Sequence, residues 1–218
     1  MMMHLVTALR DIANLGGPVV LLLIAISVVT LALILYKLWQ FRAAGVGRHM
    51  ELAKAVTAWD AGDRAGARDA LGRSLSYLAP VIDMAMQGTV DRARLEAEAE
   101  ARFERLERGF PFLDMVAQLS PLLGLFGTVL GMISAFQALQ DAGSQVDPSI
   151  LAGGIWVALL TTAVGLVVAM PTSAVLSWMQ ARMDRERVLA LASLSAVLAP
   201  VGRPLRNEQT METAFVPA

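Results

Sequence analysis

Apolar residues along this chain follow two patterns. Three stretches, Ile12–Tyr36, Met115–Gln140 and Pro148–Ala181, contain no Asp, Glu, Lys, Arg or His. Elsewhere apolar residues come singly or in short runs among Ala, Arg and Glu, at helical spacing. A helix needs about 20 apolar residues to cross the hydrocarbon core of a bilayer, and each uncharged stretch is long enough. The third, with 34 residues, exceeds the core thickness and must project beyond it or tilt. The pattern predicts an all-α membrane protein with transmembrane helices at 18–36, 113–140 and 150–180. The first apolar run is longer than the 7–15-residue core of a signal peptide. Lys37, Arg42 and Arg48 also follow it, so it is expected to stay as a span.

Orientation follows from the basic residues. Arg10 alone precedes the first span, and Asp141–Asp147 holds no Lys or Arg. The other seventeen of the eighteen Lys and Arg lie within Lys37–Arg108 or from Arg182 onward. The N-terminal segment 1–17 and the loop 141–149 are therefore expected in the periplasm. A cytoplasmic helical loop at 37–112 and a cytoplasmic helical extension at 181–199 are expected on the other side. The tail 200–218, with its prolines and no apolar period, reads as disordered or extended.

Within 37–112, breaks at Gly45–Gly47, Gly62, Pro80 and Gly88 cut the loop into short helices. The clearest helix is DRARLEAEAEARFERLERGF. Leu95, Ala99, Phe103, Leu106 and Phe110 make one apolar stripe, while Glu98–Arg102 and Glu104–Arg108 are i,i+4 pairs. The stripe continues in phase through Leu113 and Ala117. This predicts a stalk running from near Asp91 into the second span, bent at Pro111 and Pro121. A plain solvated amphipathic helix would carry the same stripe.

Composition narrows the class further. Hydrophobic residues make up 56% of the chain and mean hydropathy is +0.57, outside the range of ordinary soluble domains. Cysteine is absent, which excludes disulfides and thiol chemistry. His4 and His49 form no ligand cluster in sequence, so no metal site and no cofactor is expected. A net charge of −1 gives no field for nucleic acid. There is no HExxH, GxSxG or P-loop, which leaves a membrane enzyme as the weakest reading.

The chemistry lies in small residues. In the second span Gly124, Gly127, Thr128, Gly131, Ala135 and Ala138 share a side. Gly154, Ala158, Thr162, Gly165, Ala169, Thr172 and Ser173 do so in the third. Lipid supplies no hydrophobic drive for helices to associate, and small residues compensate by letting backbones approach. Gly124, Gly127, Gly131, Gly154 and Gly165 are thus candidate helix-packing positions. Two such faces in a three-helix chain point to a ring of copies. Thr128, Thr161 and Thr162 could bond back to a carbonyl one turn earlier, or could line a polar ion path.

The stretches VAQLSPLLGLFGTVLGMISAF and GGIWVALLTTAVGLVVAMP closely resemble the MotA/TolQ/ExbB proton channel family. GGPVVLLLIAISVVTLALILYKLW resembles the same family's first helix, and three spans place the chain nearest its ExbB/TolQ branch. The resemblance covers about Gly16 to Ala192. It implies a homopentamer in the bacterial inner membrane, with its second and third helices lining a central pore. One helix from each of two ExbD- or TolR-like single-span partners would sit inside, supplying an intramembrane Asp. Proton flow would drive those partners to act on periplasmic or outer-membrane structures, through a TonB- or TolA-like protein where one exists. Thr128 and Thr162 match the family's pore threonines. Thr161 falls where ExbB sequences usually have Ala. Val157 stands where many third helices carry Glu.

The residues themselves fit this mechanism. An ionisable group inside the membrane is costly and marks a proton relay, yet the three uncharged stretches contain no Asp, Glu, Lys, Arg or His. If protons pass, the titrating carboxylate comes from another chain. Two readings stay open at this stage: an energy-converting channel subunit, for protons or sodium, and a non-conducting scaffold built through the glycine faces.

Overall fold

A computed structural model describes the backbone of residues 2–141 and 148–201, with side chains described from Gly17. The expectation for the tail 200–218, and most of that for the loop 141–149, fall outside these residues. The described residues form seven helices joined by turns, with no strand: α1 Met2–Ala43, α2 Met50–Asp60, α3 Arg64–Gly72, α4 Ala79–Gln87, α5 Arg92–Glu107, α6 Phe110–Asp141 and α7 Pro148–Leu198. They divide into two compact units, one of Met1–Trp39 and Glu107–Arg182, the other of Gln40–Leu106 and Met183–Ala218.

The first unit contains the apolar helices. Three segments are long and apolar enough to cross a membrane, Gly17–Ala43, Phe110–Asp141 and Leu151–Leu198. The first begins at a backbone break. Gly17 sits at φ 66°, ψ −167°, where only glycine is unstrained, and Pro18 follows it with φ already set for a new helix. From there Val20, Leu23, Thr30 and Lys37 fall on one buried face of α1. Thr30 is 2% exposed and its Oγ1 has no hydrogen-bond partner among the described residues. Outward, Leu22, Phe126, Trp156 and Val167 are exposed. In lipid that exposure carries no penalty.

The second unit is built on ordinary hydrophobic burial. Leu52, Ala55 and Trp59 of α2, Ala67 and Leu71 of α3, and Val81 and Ile82 of α4 are all buried. The breakers act at the helix ends. Asp63 caps α3 by accepting from Gly66 N–H at 2.8 Å, and Gly88 closes α4 in the left-handed conformation. Pro80 begins a helix instead of ending one, because the first turn of α4 needs no N–H from it. The α5 stripe is buried as its spacing predicts, at Leu95, Ala99, Phe103 and Leu106, and Glu98–Arg102 forms at 2.5 Å.

The expected stalk is not continuous. α5 ends at Glu107 and α6 begins at Phe110, with Gly109 between them at φ 100°. A side-chain stripe can stay in phase across such a turn, since periodicity does not register one backbone dihedral. Pro111 sits in the first turn of α6, and α6 continues through Pro121.

Polar contacts also organise the second unit. Glu186, on the last third of α7, is 3% exposed. Its Oε2 accepts from Tyr77 Oη at 2.9 Å and lies 2.6 Å from His49 Nε2, while His49 Nδ1 meets Ser76 Oγ at 3.0 Å. Trp59 Nε1 donates to Val197 O at 3.1 Å, further along the same helix. At the surface Glu51 meets Lys54 at 2.7 Å and Arg73 at 3.6 Å, and these cations hold its carboxyl below the usual range, Lys54 most strongly. Removing the Glu186 side chain would take its Oε2 away from Tyr77 Oη and His49 Nε2 in a buried space. Glu186→Ala is therefore expected to destabilise this unit by about 3 kcal/mol. The measurement is limited proteolysis within 40–106 together with a thermal melt; an unchanged cleavage pattern and midpoint would refute the role.

Candidate ion-pathway site

The predicted glycines meet their partners inside one chain. A Cβ built on Gly124 would lie 2.9 Å from Thr161 O and 3.0 Å from Thr162 Cα. One on Gly131 would lie 3.2 Å from Ala158 Cβ, one on Gly154 would collide with Ala135 Cβ, and one on Gly165 would lie 2.6 Å from Ser120 O. Residue numbers rise on α7 as they fall on α6, so the two helices run antiparallel along a seam of near backbone contact. Mid-helix glycine costs about 1 kcal/mol relative to Ala. Close backbone approach offsets that cost in lipid, where dispersion and polar contacts are the main forces between helices.

This corrects one expectation. The small-residue faces of the second and third spans do not each require another copy of the chain, because they satisfy each other. A helical wheel shows that a face is small but not which neighbour it touches.

The threonines take three different positions. Thr128 is partly exposed and its Oγ1 donates back to Leu125 O at 2.6 Å. Thr161 is 2% exposed and stands inside the seam: a Cβ on Gly127 would come within 2.7 Å of both its Cβ and its Oγ1. Its hydroxyl lies 2.7 Å from Ala158 O and 3.2 Å from Gly124 O. Thr162 is partly exposed and reaches the same Gly124 O at 3.3 Å. Back-bonding thus occurs at Thr128 and Thr161, to the carbonyl three residues earlier. Thr162 alone of the three has only a cross-helix bond among these contacts. Ser120 and Thr172, which sequence reasoning did not select for hydrogen bonding, bond back to Val116 O and Val168 O at 2.7 Å.

A cavity of about 470 Å³ opens beside the seam, between Gly17 and Pro18 of α1, Ser134 of α6, and Val157 and Thr161 of α7. Thr128 and Thr162 are not among its lining residues. Val157, at the position of the missing carboxylate, does face it.

This arrangement of antiparallel helices, uncharged over Met115–Gln140 and Pro148–Ala181 and meeting at glycines with hydroxyls along the seam, agrees with the family comparison. The MotA/TolQ/ExbB proton channel family matches residues 65–190, more than half of the chain. The chain belongs to this family. A putative biopolymer transport protein ExbB homolog from Methanothermobacter thermautotrophicus is 31% identical over 179 residues, 78% of this chain and 62% of that protein. The Tol-Pal system protein TolQ of Haemophilus influenzae is 44% identical over 86 residues, 39% of this chain and 36% of TolQ. The biopolymer transport protein ExbB of Salmonella typhimurium is 38% identical over 78 residues, 36% of this chain and 32% of ExbB. The chain thus spans less than two thirds of the length of these relatives. The ExbB/TolQ branch is the one these relatives share, and this family member is a multi-pass membrane protein, not an enzyme.

The seam makes a direct prediction about glycine. Gly127→Leu is expected to lower the melting temperature and yield of the chain itself, since the side chain would occupy the volume held by Thr161. Gly153, whose added Cβ would meet nothing within 4 Å, serves as the control, and Gly153→Ala should be neutral. Equal melting temperatures for Gly127→Leu and the unmodified chain would place this face toward lipid.

Proposed function

We propose that this chain is an ExbB/TolQ-like ion channel subunit of the cell inner membrane. It converts the proton motive force into mechanical work on periplasmic or outer-membrane components. The functional assembly is a ring, five copies in the simplest form. Inside it, an ExbD/TolR-like single-span partner carries the intramembrane Asp, and a TonB- or TolA-like protein relays force onward. The N-terminus faces the periplasm and the C-terminus the cytoplasm. The conduction path runs past Thr128 and Thr162, and protons are the ion carried.

One observation carries this reading. Thr162 offers a partly exposed hydroxyl in the uncharged stretch of α7, bonded among the described residues only at long range, 3.3 Å, to a neighbouring backbone carbonyl. Such a group can exchange that bond for water or a passing ion. With no titratable side chain in Met115–Gln140 or Pro148–Ala181, these helices supply hydroxyls and carbonyls while the partner supplies the charge. Each proton then delivers about 2.3 kcal/mol per 100 mV, the scale of a modest helix rearrangement. The glycine faces meet within the chain, so they argue for neither a scaffold nor a ring of copies, and the ring rests on the family resemblance.

Thr→Val keeps shape and branching while removing the hydroxyl, so it separates polar function from packing. In the complex reconstituted with its partner, Thr162→Val is expected to abolish proton flux with oligomer yield unchanged, and Thr162→Ser to retain part of it. Thr128→Val should behave like Thr162→Val. Thr30→Val is the control and should also stabilise the fold by about 1 kcal/mol, because it removes a buried hydroxyl without a partner. A Thr128→Val/Thr162→Val double variant with full flux would move the path elsewhere. A stable monomer by native mass spectrometry in mild detergent would overturn the ring.

A further inference from the structure

Two hydroxyls converge on one carbonyl: Thr161 Oγ1 at 3.2 Å and Thr162 Oγ1 at 3.3 Å from Gly124 O. Their surroundings differ sharply. Thr161 is 2% exposed, borders the cavity beside the seam, and is wedged into the hole left by the missing side chain of Gly127. Thr162 keeps a partly exposed side. A hydroxyl carries one proton and can donate it to one acceptor at a time. Thr161 has two acceptors within reach, Ala158 O at 2.7 Å and Gly124 O at 3.2 Å. Thr162 has only Gly124 O among the bonds seen.

We infer that Thr161 is a positioning residue for Thr162, acting as a wedge against Gly127 and as the alternate donor to the Gly124 carbonyl. While Thr161 bonds Ala158 O, Thr162 occupies Gly124 O. When Thr162 turns its hydroxyl away, Thr161 rotates its single proton onto Gly124 O, and the cross-helix bond is kept. In a low-dielectric seam a lost hydrogen bond has no water to replace it. The exchange gives up the bond of Thr161 to Ala158 O within α7 and keeps one between the helices when Thr162 is released, while the wedge holds α6 and α7 in register throughout. The donor-exchange half of this inference rests on the channel reading; the wedge does not.

The test has two readouts on the full chain. The first is the thermal midpoint in detergent, which is independent of conduction. Gly127→Ala and Thr161→Gly should each lower it. The double variant should recover much of the loss, because clearing the Thr161 side chain makes room for the new Cβ. Strictly additive losses would overturn the wedge. The second is proton flux in the complex reconstituted with its partner. Thr161→Val, which keeps the wedge but not the proton, should retain the midpoint and lose about tenfold in flux, the scale of one hydrogen bond. Thr161→Ser should restore most of that flux. Wild-type flux in Thr161→Val would overturn the donor exchange. An unmodified complex without flux, alongside a coupled midpoint cycle, would overturn the channel reading and support the wedge.

Discussion

Helices in a bilayer gain little by hiding apolar surface from one another, since lipid is already apolar. The contact between α6 and α7 therefore depends on how closely two backbones can approach, and glycine decides that. Gly124, Gly127, Gly131, Gly154 and Gly165 are spaced so that each removes a side chain where the other helix would collide with it. The height of every hydroxyl along the seam follows from this fit. Thr161 is buried because Gly127 is empty, and Thr162 reaches Gly124 O because nothing at position 124 stands in its way.

The second unit rests on different physics. Its helices are short and amphipathic, and water drives Leu52, Leu71, Ile82 and Phe103 together. There the polar contacts fix which helix sits where. Glu186, with its acceptor oxygen shared between Tyr77 and His49, is buried in a position that an apolar residue could fill. A buried charged group tolerates only the arrangement that supplies its partners. Such a group specifies the register of α7 against the loops around His49 and Ser76 more narrowly than hydrophobic burial would.

The three spans were legible in the sequence because charge is excluded from lipid, and a run without charge needs no tertiary information to be seen. Helix ends were legible at Gly62 and Gly88 because the turn chemistry is local. The stalk was misread because the stripe from Leu95 to Ala117 keeps its phase across Gly109, whose φ of 100° leaves no trace in a hydropathy pattern. The glycine positions could be read, but their partner could not. Small faces on two helices describe equally well two contacts with other copies or one contact with each other. His49–Glu186 lay out of reach for a similar reason, since 137 residues separate the pair and neither belongs to a motif. Among the threonines, the neighbours Thr161 and Thr162 lie about 100° apart on a helix. That rotation separates a wedge from a partly exposed hydroxyl, and residue type cannot express it.

Val157 places a further constraint on the mechanism. It borders the open cavity between α1, α6 and α7, so a carboxylate there would lie on a mostly apolar wall beside Ser134 and Thr161. An isolated charge in an apolar place is expensive and tends to neutralise. With valine, this wall needs no compensating cation. The proposed path then depends on neutral dipoles that cost little to rearrange, and its one ionisable group belongs to a different chain. In the proposed assembly, proton uptake would alter the attraction between partner and ring without altering the ring's own stability. Work would then appear where the two chains move past each other, while the α6–α7 seam, held by glycine and Thr161, stays fixed.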